Sequence, residues 1–241
     1  MSIKKSEFAS GIIVAAGSGT RMGGVKKPLI KLGTKTLFER VLDAFLRSFV
    51  SDITVVCPED DSAFRNIAEK TVKNCGAEKE ITFTRGGDTR TDSVFLGIKA
   101  SSENSKFACV HDCARPFVTP EIIDRVIESS FETGSATACC RVTDTIRYVD
   151  EEHKVIYTPN RKNLLAIMTP QCFDKQKFVA AYAFAKAQNK NFTDDCGLLE
   201  DAGIKTKYVD CPKDNMKLTT AYDVTLARAI RLIREKSKKE Q

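Results

Sequence analysis

Three stretches of this chain hold residue types that could do chemistry together. The first, Ala15-Ala16-Gly17-Ser18-Gly19-Thr20-Arg21-Met22-Gly23, follows an apolar run and sets three glycines around one arginine. Glycines let backbone N–H groups close on an anion, and a guanidinium adds a charged fork for phosphate oxygens. A plain tight turn is the competing reading. A Walker A loop would end in Gly-Lys-Ser/Thr, which is absent, and Met22 stands where the dinucleotide fingerprint needs its third glycine. The second stretch, Lys26-Lys27-Pro28-Leu29, begins five residues after Arg21, near enough for a second cation to reach the same triphosphate. Its bland reading is a solvated charge pair. Fixed positive charge is what a triphosphate needs as pyrophosphate departs.

The third stretch is Val110-His111-Asp112-Cys113-Ala114-Arg115-Pro116 at the end of another apolar run. Asp112 there could hold Mg²⁺ by one carboxylate while phosphate oxygens and water complete the octahedron, or could merely cap the turn. Arg115 is placed to reach a substrate phosphate. Cys109 and Cys113 have C-x3-C spacing but no second pair at zinc-ligand spacing, so a zinc site is not expected. With only two histidines, His111 and His153, and no Ser-His-Asp arrangement, nucleophilic catalysis lacks players.

The elements that would carry these stretches are strand-length apolar runs alternating with helical patterns, the mark of an α/β layer fold with a largely parallel sheet. The runs are 11–16, 53–57, 81–84, 107–111, 135–142 and 205–209. In such sheets ligands bind beyond the carboxyl ends of the strands, where the glycine loop and Asp112 both fall. Leu37, Val41, Leu42, Phe45 and Leu46 mark one helix; Ile122, Ile123, Val126 and Ile127 mark another. A C-terminal helix is predicted over about 221–236, with Val224, Leu226, Ala227, Ile230 and Ile233 facing inward. One region departs from the alternation: 145–149 and 154–157 are short β-type segments around the polar Asp150-Glu-Glu-His153. They read as a hairpin projecting from the body, either a surface excursion or an arm that grips a second subunit.

At 241 residues the chain can bury one sizeable core, and a single domain is expected over 1–241, with the arm at about 143–162. A composition 42% hydrophobic and 29% charged, without repeats or low-complexity tracts, excludes disordered and fibrous classes. The net charge of +6 gathers at the ends, in Lys4, Lys5 and the run from Arg231 to Lys239, and reads as a solvated tail. With no tryptophan and no aromatic-and-basic stripe, nucleic acid is not an expected partner. Nine cysteines, an odd number and mostly inside apolar runs, suit a reducing compartment. The first apolar run is too short for a signal peptide or a membrane span, so the expectation is a cytoplasmic protein without membrane attachment.

Taken in order, the glycine loop, Gly86-Gly87-Asp88-Thr89-Arg90-Thr91-Asp92-Ser93-Val94, His111 to Pro116, Thr169-Pro170-Gln171, Thr193-Asp194-Asp195 and Asn215-Met216-Lys217-Leu218-Thr219 carry a resemblance. The chain resembles the 2-C-methyl-D-erythritol 4-phosphate cytidylyltransferase family of the non-mevalonate isoprenoid pathway, from about Ile12 to Leu226. That resemblance implies a Rossmann-like nucleotidyltransferase sheet, a projecting β-arm, a homodimer, Mg²⁺, and CTP as substrate. Residue by residue, it implies that Ala15, Ala16, Gly17 and Gly19 line the nucleotide. Gly87, Asp88 and Ser93 would read the cytosine, and Arg21 and Lys27 would bind the triphosphate. Asp112 would hold the metal, and Lys217 would neutralise charge at the α-phosphate. Arg115, Thr145 and Arg161 would bind the polyol phosphate, the last two from a neighbour's arm. Pro28 stands where the family has glutamine, which leaves Lys26 and Lys27 as alternatives for the catalytic lysine; Cys113 replaces an alanine, and Met168 a common glutamine. The competing functions are a ribitol-5-phosphate cytidylyltransferase, an NAD-dependent oxidoreductase, and a nucleotide-binding protein without catalysis.

Overall fold

The computed structural model describes residues 9–17 and 26–237. Its centre is a seven-stranded sheet in the order β11-β7-β10-β6-β1-β4-β5. The strands are β1 (Ala9–Val14), β4 (Ile53–Cys57), β5 (Ile81–Arg85), β6 (Phe107–Asp112), β7 (Ser135–Arg141), β10 (Leu165–Asp174) and β11 (Lys207–Asp210). Each neighbouring pair is parallel except that β10 runs antiparallel to both β6 and β7. Two-stranded pieces, β2 (Lys31–Leu32) with β3 (Lys35–Thr36) and β8 (Tyr148–Val149) with β9 (Val155–Tyr157), complete the β-structure.

Strands buried on both faces must be apolar at successive positions. β1 and β4 show this: Ile13 and Val55 pack on one side of the sheet, Ile12 and Val56 on the other. The first side is covered by α1 (Leu37–Leu46), α2 (Ser62–Cys75) and α4 (Pro120–Thr133), through Phe38, Phe45, Phe64, Ile123 and Val126. The second is covered by α3 (Arg90–Ala100), α5 (Lys175–Ala187) and α6 (Asp195–Asp201), through Val94, Phe178 and Leu199. Gly97 lets α3 close on the sheet: a Cβ there would stand 2.7 Å from both Ile12 Cγ2 and Val56 Cγ2. Several helices begin at side-chain caps, among them Thr36 for α1, Thr119 followed by Pro120 for α4, and Asp174 for α5.

Two sequence expectations change. The strand β10 was not among the expected runs, although it lies inside the sheet. In α7 (Ala221–Ser237), Val224 and Ala227 are buried with Leu32, Leu37, Phe117 and Leu218, whereas Leu226 is 41% and Ile233 66% exposed. At 100° per residue Leu226 and Ile233 fall opposite Val224, and the inner face continues through Arg231 and Arg234 instead. Arg231 lies over Gly33, and Arg234 donates to Asp214 and to the Phe117 carbonyl.

The hairpin expectation matches the structure. β8 and β9 pair antiparallel around a turn in which the Asp150 carboxylate accepts from the backbone N–H groups of Glu152 and Lys154. Tyr148 stacks on Tyr157, and Ile146, Tyr148, Val149, Val155, Ile156 and Tyr157 are all exposed, an apolar surface on a projection.

Candidate active site

The parallel strands deliver the chemistry-bearing stretches to one edge of the sheet. Val14, the last residue of β1, is in register with both Val56 and Asp112, so the chain beyond β1 emerges beside the end of β6. The ladder carries on past the strands: Ala15 N–H donates to the Val56 carbonyl at 2.7 Å, and Cys113 N–H to that of Val14 at 3.0 Å. The β5–α3 turn joins them. There Gly86 approaches the Ala16 side chain more closely than any Cβ would permit. The turn is held by a capping box in which Thr89 accepts from Asp92 N–H while the Asp92 carboxylate accepts from Thr89. From the far end of the chain, Leu218 N–H donates to the Ala114 carbonyl at 2.8 Å, which brings Lys217 in.

Together these segments enclose a cavity of about 420 Å³ lined by Ala15 to Gly17, Lys27, Gly87 to Arg90, Asp112 to Ala114 and Lys217. Lys27 Nζ donates to the Thr219 carbonyl at 3.2 Å, while Lys26 turns away toward Asp60, 3.9 Å distant. A larger groove of about 890 Å³ lies elsewhere, between α1, residues 116–120 and α7. It contains none of the glycine segments or the Asp112 stretch, so size alone does not mark the site.

At the base of the cavity four charges alternate. The Asp112 carboxylate accepts from Arg90 Nε at 2.9 Å on Oδ1 and from Lys217 Nζ at 2.7 Å on Oδ2. Arg90 in turn donates from Nη1 and Nη2 to the two oxygens of Asp195, at 3.0 and 2.9 Å. Burial pushes the Asp112 carboxyl up, but Arg90 and Lys217 outweigh it and hold the group well below the usual carboxylate range. Asp195, wholly buried, is raised by that burial, and Arg90 offsets it only in part. The Asp195 backbone is seated by Gln171, whose Oε1 accepts from the N–H groups of Asp195 and Cys196.

His111 sits beneath Asp112, fully buried, with Nε2 3.0 Å from the Arg115 carbonyl and Nδ1 3.0 Å from Thr169 Oγ1. A carbonyl can only accept, so Nε2 carries the proton; in the neutral ring Nδ1 then accepts from the Thr169 hydroxyl. Burial lowers the His111 pKa to about 4, so the neutral ring is the form near pH 7. The same Thr169 oxygen accepts from Asp112 N–H at 3.1 Å. His111 therefore fixes the turn that presents Asp112 and Arg115 and has no free nitrogen for proton transfer.

Of the residues expected from the sequence, Ala15, Ala16, Gly17, Lys27, Gly87, Asp88, Asp112 and Lys217 share the cavity wall. Gly19 and Arg21 lie outside the described residues. Ser93 is buried beside the wall, where its hydroxyl accepts from Gly87 N–H and donates to the Thr89 carbonyl, so it shapes the turn. Arg115 donates to the Asn215 carbonyl at 3.0 Å. Thr145 and Arg161 lie on the arm and do not line the cavity of their own chain; Arg161 donates to the Thr143 carbonyl. Arg90 and Asp195 carry no role expected from the sequence. Their signal was an arginine after a glycine pair and an acidic pair far along the chain, 105 residues apart.

Comparison with known proteins relates the chain to one family. Residues 10–232 match the family described as 2-C-methyl-D-erythritol 4-phosphate cytidylyltransferase. The protein of that name from Prochlorococcus marinus is 35% identical over 222 residues, covering 91% of this chain and 96% of the relative. Its namesake from Desulforamulus reducens is 34% identical, covering 90% and 93%. The crystal structure of 4-diphosphocytidyl-2C-methyl-D-erythritol synthase from Anaerococcus prevotii superposes with a TM-score of 0.83 at 31% identity, covering 95% of this chain and 98% of that one. The Thermus thermophilus 2-C-methyl-D-erythritol 4-phosphate cytidylyltransferase gives a TM-score of 0.74 at 25% identity, covering 91% and 97%.

Proposed function

Because the chain belongs to the 2-C-methyl-D-erythritol 4-phosphate cytidylyltransferase family, we propose that it transfers CMP from CTP to 2-C-methyl-D-erythritol 4-phosphate, forming 4-diphosphocytidyl-2-C-methyl-D-erythritol and pyrophosphate. The observation that carries this reading is the single cavity in which a glycine-lined wall, Lys27, Asp112 and Lys217 face one another. Ala15 to Gly17 and Gly87 to Asp88 offer backbone groups to a nucleoside, and the cations lie where a triphosphate would extend.

The acceptor needs no base. A phosphate monoester has a second pKa near 6, so at neutral pH its oxygen attacks the α-phosphorus as an anion while the bond to pyrophosphate breaks. That leaves charge to be stabilised and reactants to be aligned. Lys27, with Arg21 from the glycine loop, would hold the triphosphate and the departing pyrophosphate. Lys217 would meet the charge at the α-phosphate, and Arg115 would bind the acceptor's phosphate.

The residues present fit Mg²⁺. Each Asp112 oxygen accepts one hydrogen bond and keeps a lone pair, and among the described residues no group of three or more His, Cys, Asp or Glu could form a metal cage. One carboxylate completed by phosphate oxygens and water is the donor set that suits this ion. When bound, it would neutralise phosphate charge and align the α-phosphate.

We also propose one catalytic body over 1–241 with its arm at about 143–162. The exposed apolar arm would pair with a second copy in a homodimer, carrying Thr145 and Arg161 to the neighbour's acceptor site. We propose a cytoplasmic location on the ground that the nine cysteines, mostly buried and unpaired, suit a reducing compartment; among the described residues no helix is long and apolar enough to cross a membrane.

The test is Mg²⁺-dependent pyrophosphate release with CTP and either 2-C-methyl-D-erythritol 4-phosphate or ribitol 5-phosphate. Release with the methylerythritol phosphate alone is expected. Release with ribitol phosphate alone would move the enzyme to the sister activity, and silence with both would refute catalysis.

A further inference from the structure

Asp112 has two cationic partners, and they are held very differently. Lys217 reaches Asp112 through one ammonium on a flexible stem, and its side chain is 41% exposed. Arg90 is 25% exposed and commits three N–H groups at once, one to Asp112 and two to the wholly buried Asp195. Asp195 has no other ionic partner among the described residues. Any excursion of the guanidinium would strand a buried carboxylate, which is far less tolerable than releasing a half-exposed lysine to water. Asp195 is itself fixed from behind, because Gln171 on β10 accepts from its backbone N–H, and Gln171 Nε2 donates to Asp194 and to the Met168 carbonyl.

From this we infer that Arg90, locked by Asp195, is the positioning residue that fixes the Asp112 carboxylate, whereas Lys217 is the exchangeable counter-ion that leaves Asp112 for the substrate's phosphate. The four charges balance in pairs, so the resting cavity holds Lys217 neutralised and in reserve. When a phosphate enters, Oδ2 is the oxygen that loses its partner, and Oδ1 stays tied to Arg90. Arg90 also opens α3 directly after the Gly87–Thr89 turn, so the strut that sets Asp112 is continuous with the nucleoside side of the cavity. This inference rests on the cytidylyltransferase reading.

The experiment compares Asp195→Asn, Arg90→Lys, Arg90→Gln and the charge-balanced double variant Arg90→Gln/Asp195→Asn with the wild type. Steady-state turnover is measured below each variant's melting temperature, together with calorimetric binding of CTP with Mg²⁺ and with EDTA. Loss of a partner that orients a liganding carboxylate lowers activity or metal affinity by about 10- to 100-fold. That loss is expected chiefly in kcat for Asp195→Asn, with KM for CTP rising only by the Mg²⁺-dependent share of CTP binding that is lost. Arg90→Lys should not rescue, since one ammonium cannot span both carboxylates. The double variant should match Arg90→Gln alone, because Asp195 acts only through Arg90, and its neutral pair keeps the fold should Asp195→Asn destabilise it. CTP affinity measured in EDTA should stay near the wild-type value in each variant, while the gain on adding Mg²⁺ shrinks. Wild-type kcat in Asp195→Asn, full rescue by Arg90→Lys, or multiplicative losses in the double variant would each overturn the inference. A wild-type protein that binds no CTP would instead bring down the cytidylyltransferase reading itself.

Discussion

His111 offers a perturbation whose size follows from its surroundings. Its ring is fully buried, and burial moves its pKa from 6.5 to about 4. The unfolded chain therefore takes up a proton as pH falls below 6.5, while the folded protein does not until about pH 4, so stability is present above 6.5 and is lost on the way down. The gap of about 2.5 pH units at about 1.4 kcal/mol each totals about 3.4 kcal/mol, of which about 2.5 kcal/mol is lost by pH 4.5. His111→Gln retains a donor toward the Arg115 carbonyl and abolishes the titration. Urea unfolding of both proteins at pH 7.5 and 4.5 isolates the effect, because Asp112, Asp195 and the other carboxylates titrate in each and cancel. Relative to the variant, the wild type should lose about 2.5 kcal/mol, or about 1 M in midpoint if the urea slope is near 2.5 kcal/mol per molar. An unchanged difference between the two pH values would mean that the folded ring accepts a proton, and the neutral tautomer argued from Thr169 and the Arg115 carbonyl would be wrong.

Other expectations follow from the same contacts. Lys217→Ala should lower kcat by about 100-fold or more, as loss of a charge aimed at the transition state does. Its fold should survive with a lowered melting temperature, because Arg90 still donates to Asp112 but then serves two buried carboxylates alone. Ile156→Asp, on the arm, should convert dimers to monomers in size-exclusion chromatography while circular dichroism stays unchanged. Gly97→Val should cost about 1–3 kcal/mol by denaturant titration, since its new methyls would drive Ile12 and Val56 out of place.

The parallel strands were legible because burial on both faces leaves uninterrupted apolar runs, and 53–57 appears with unchanged bounds. β10 was not legible. Its ten residues include Thr169-Pro170-Gln171, where the register with β7 shifts between Ile167 and Gln171, and a proline speaks against a central strand. That irregularity is functional in effect: it aims the Thr169 hydroxyl at His111 and at the backbone of Asp112. On α7, Val224, Ala227 and Ile230 pack inward as expected, but Leu226 and Ile233 do not, because Arg231 and Arg234 occupy the buried side with their stems. Around the cavity, Ala15 to Gly17, Lys27 and Asp112 are marked by local spacing, whereas Gly87, Asp88 and Lys217 rest on the family resemblance. Arg90 and Asp195 carry no such mark, because their meaning is a contact made across the fold.

The arm has one more consequence, for how such enzymes can be rebuilt. Arg141 and Leu165 face each other across a rung of the β7–β10 ladder, so the sheet closes before the arm begins. The strands β8 and β9 pair only with each other. The 23-residue excursion between those rung partners is thus a cassette hung from a finished framework, and its two ends already meet. Changes in its length leave the register of every core strand undisturbed, whereas Thr145 and Arg161 within it are tied to the proposed acceptor site. A chain in which a short turn joins residue 141 to 165 should still fold, so the arm and the body can be engineered as separate modules.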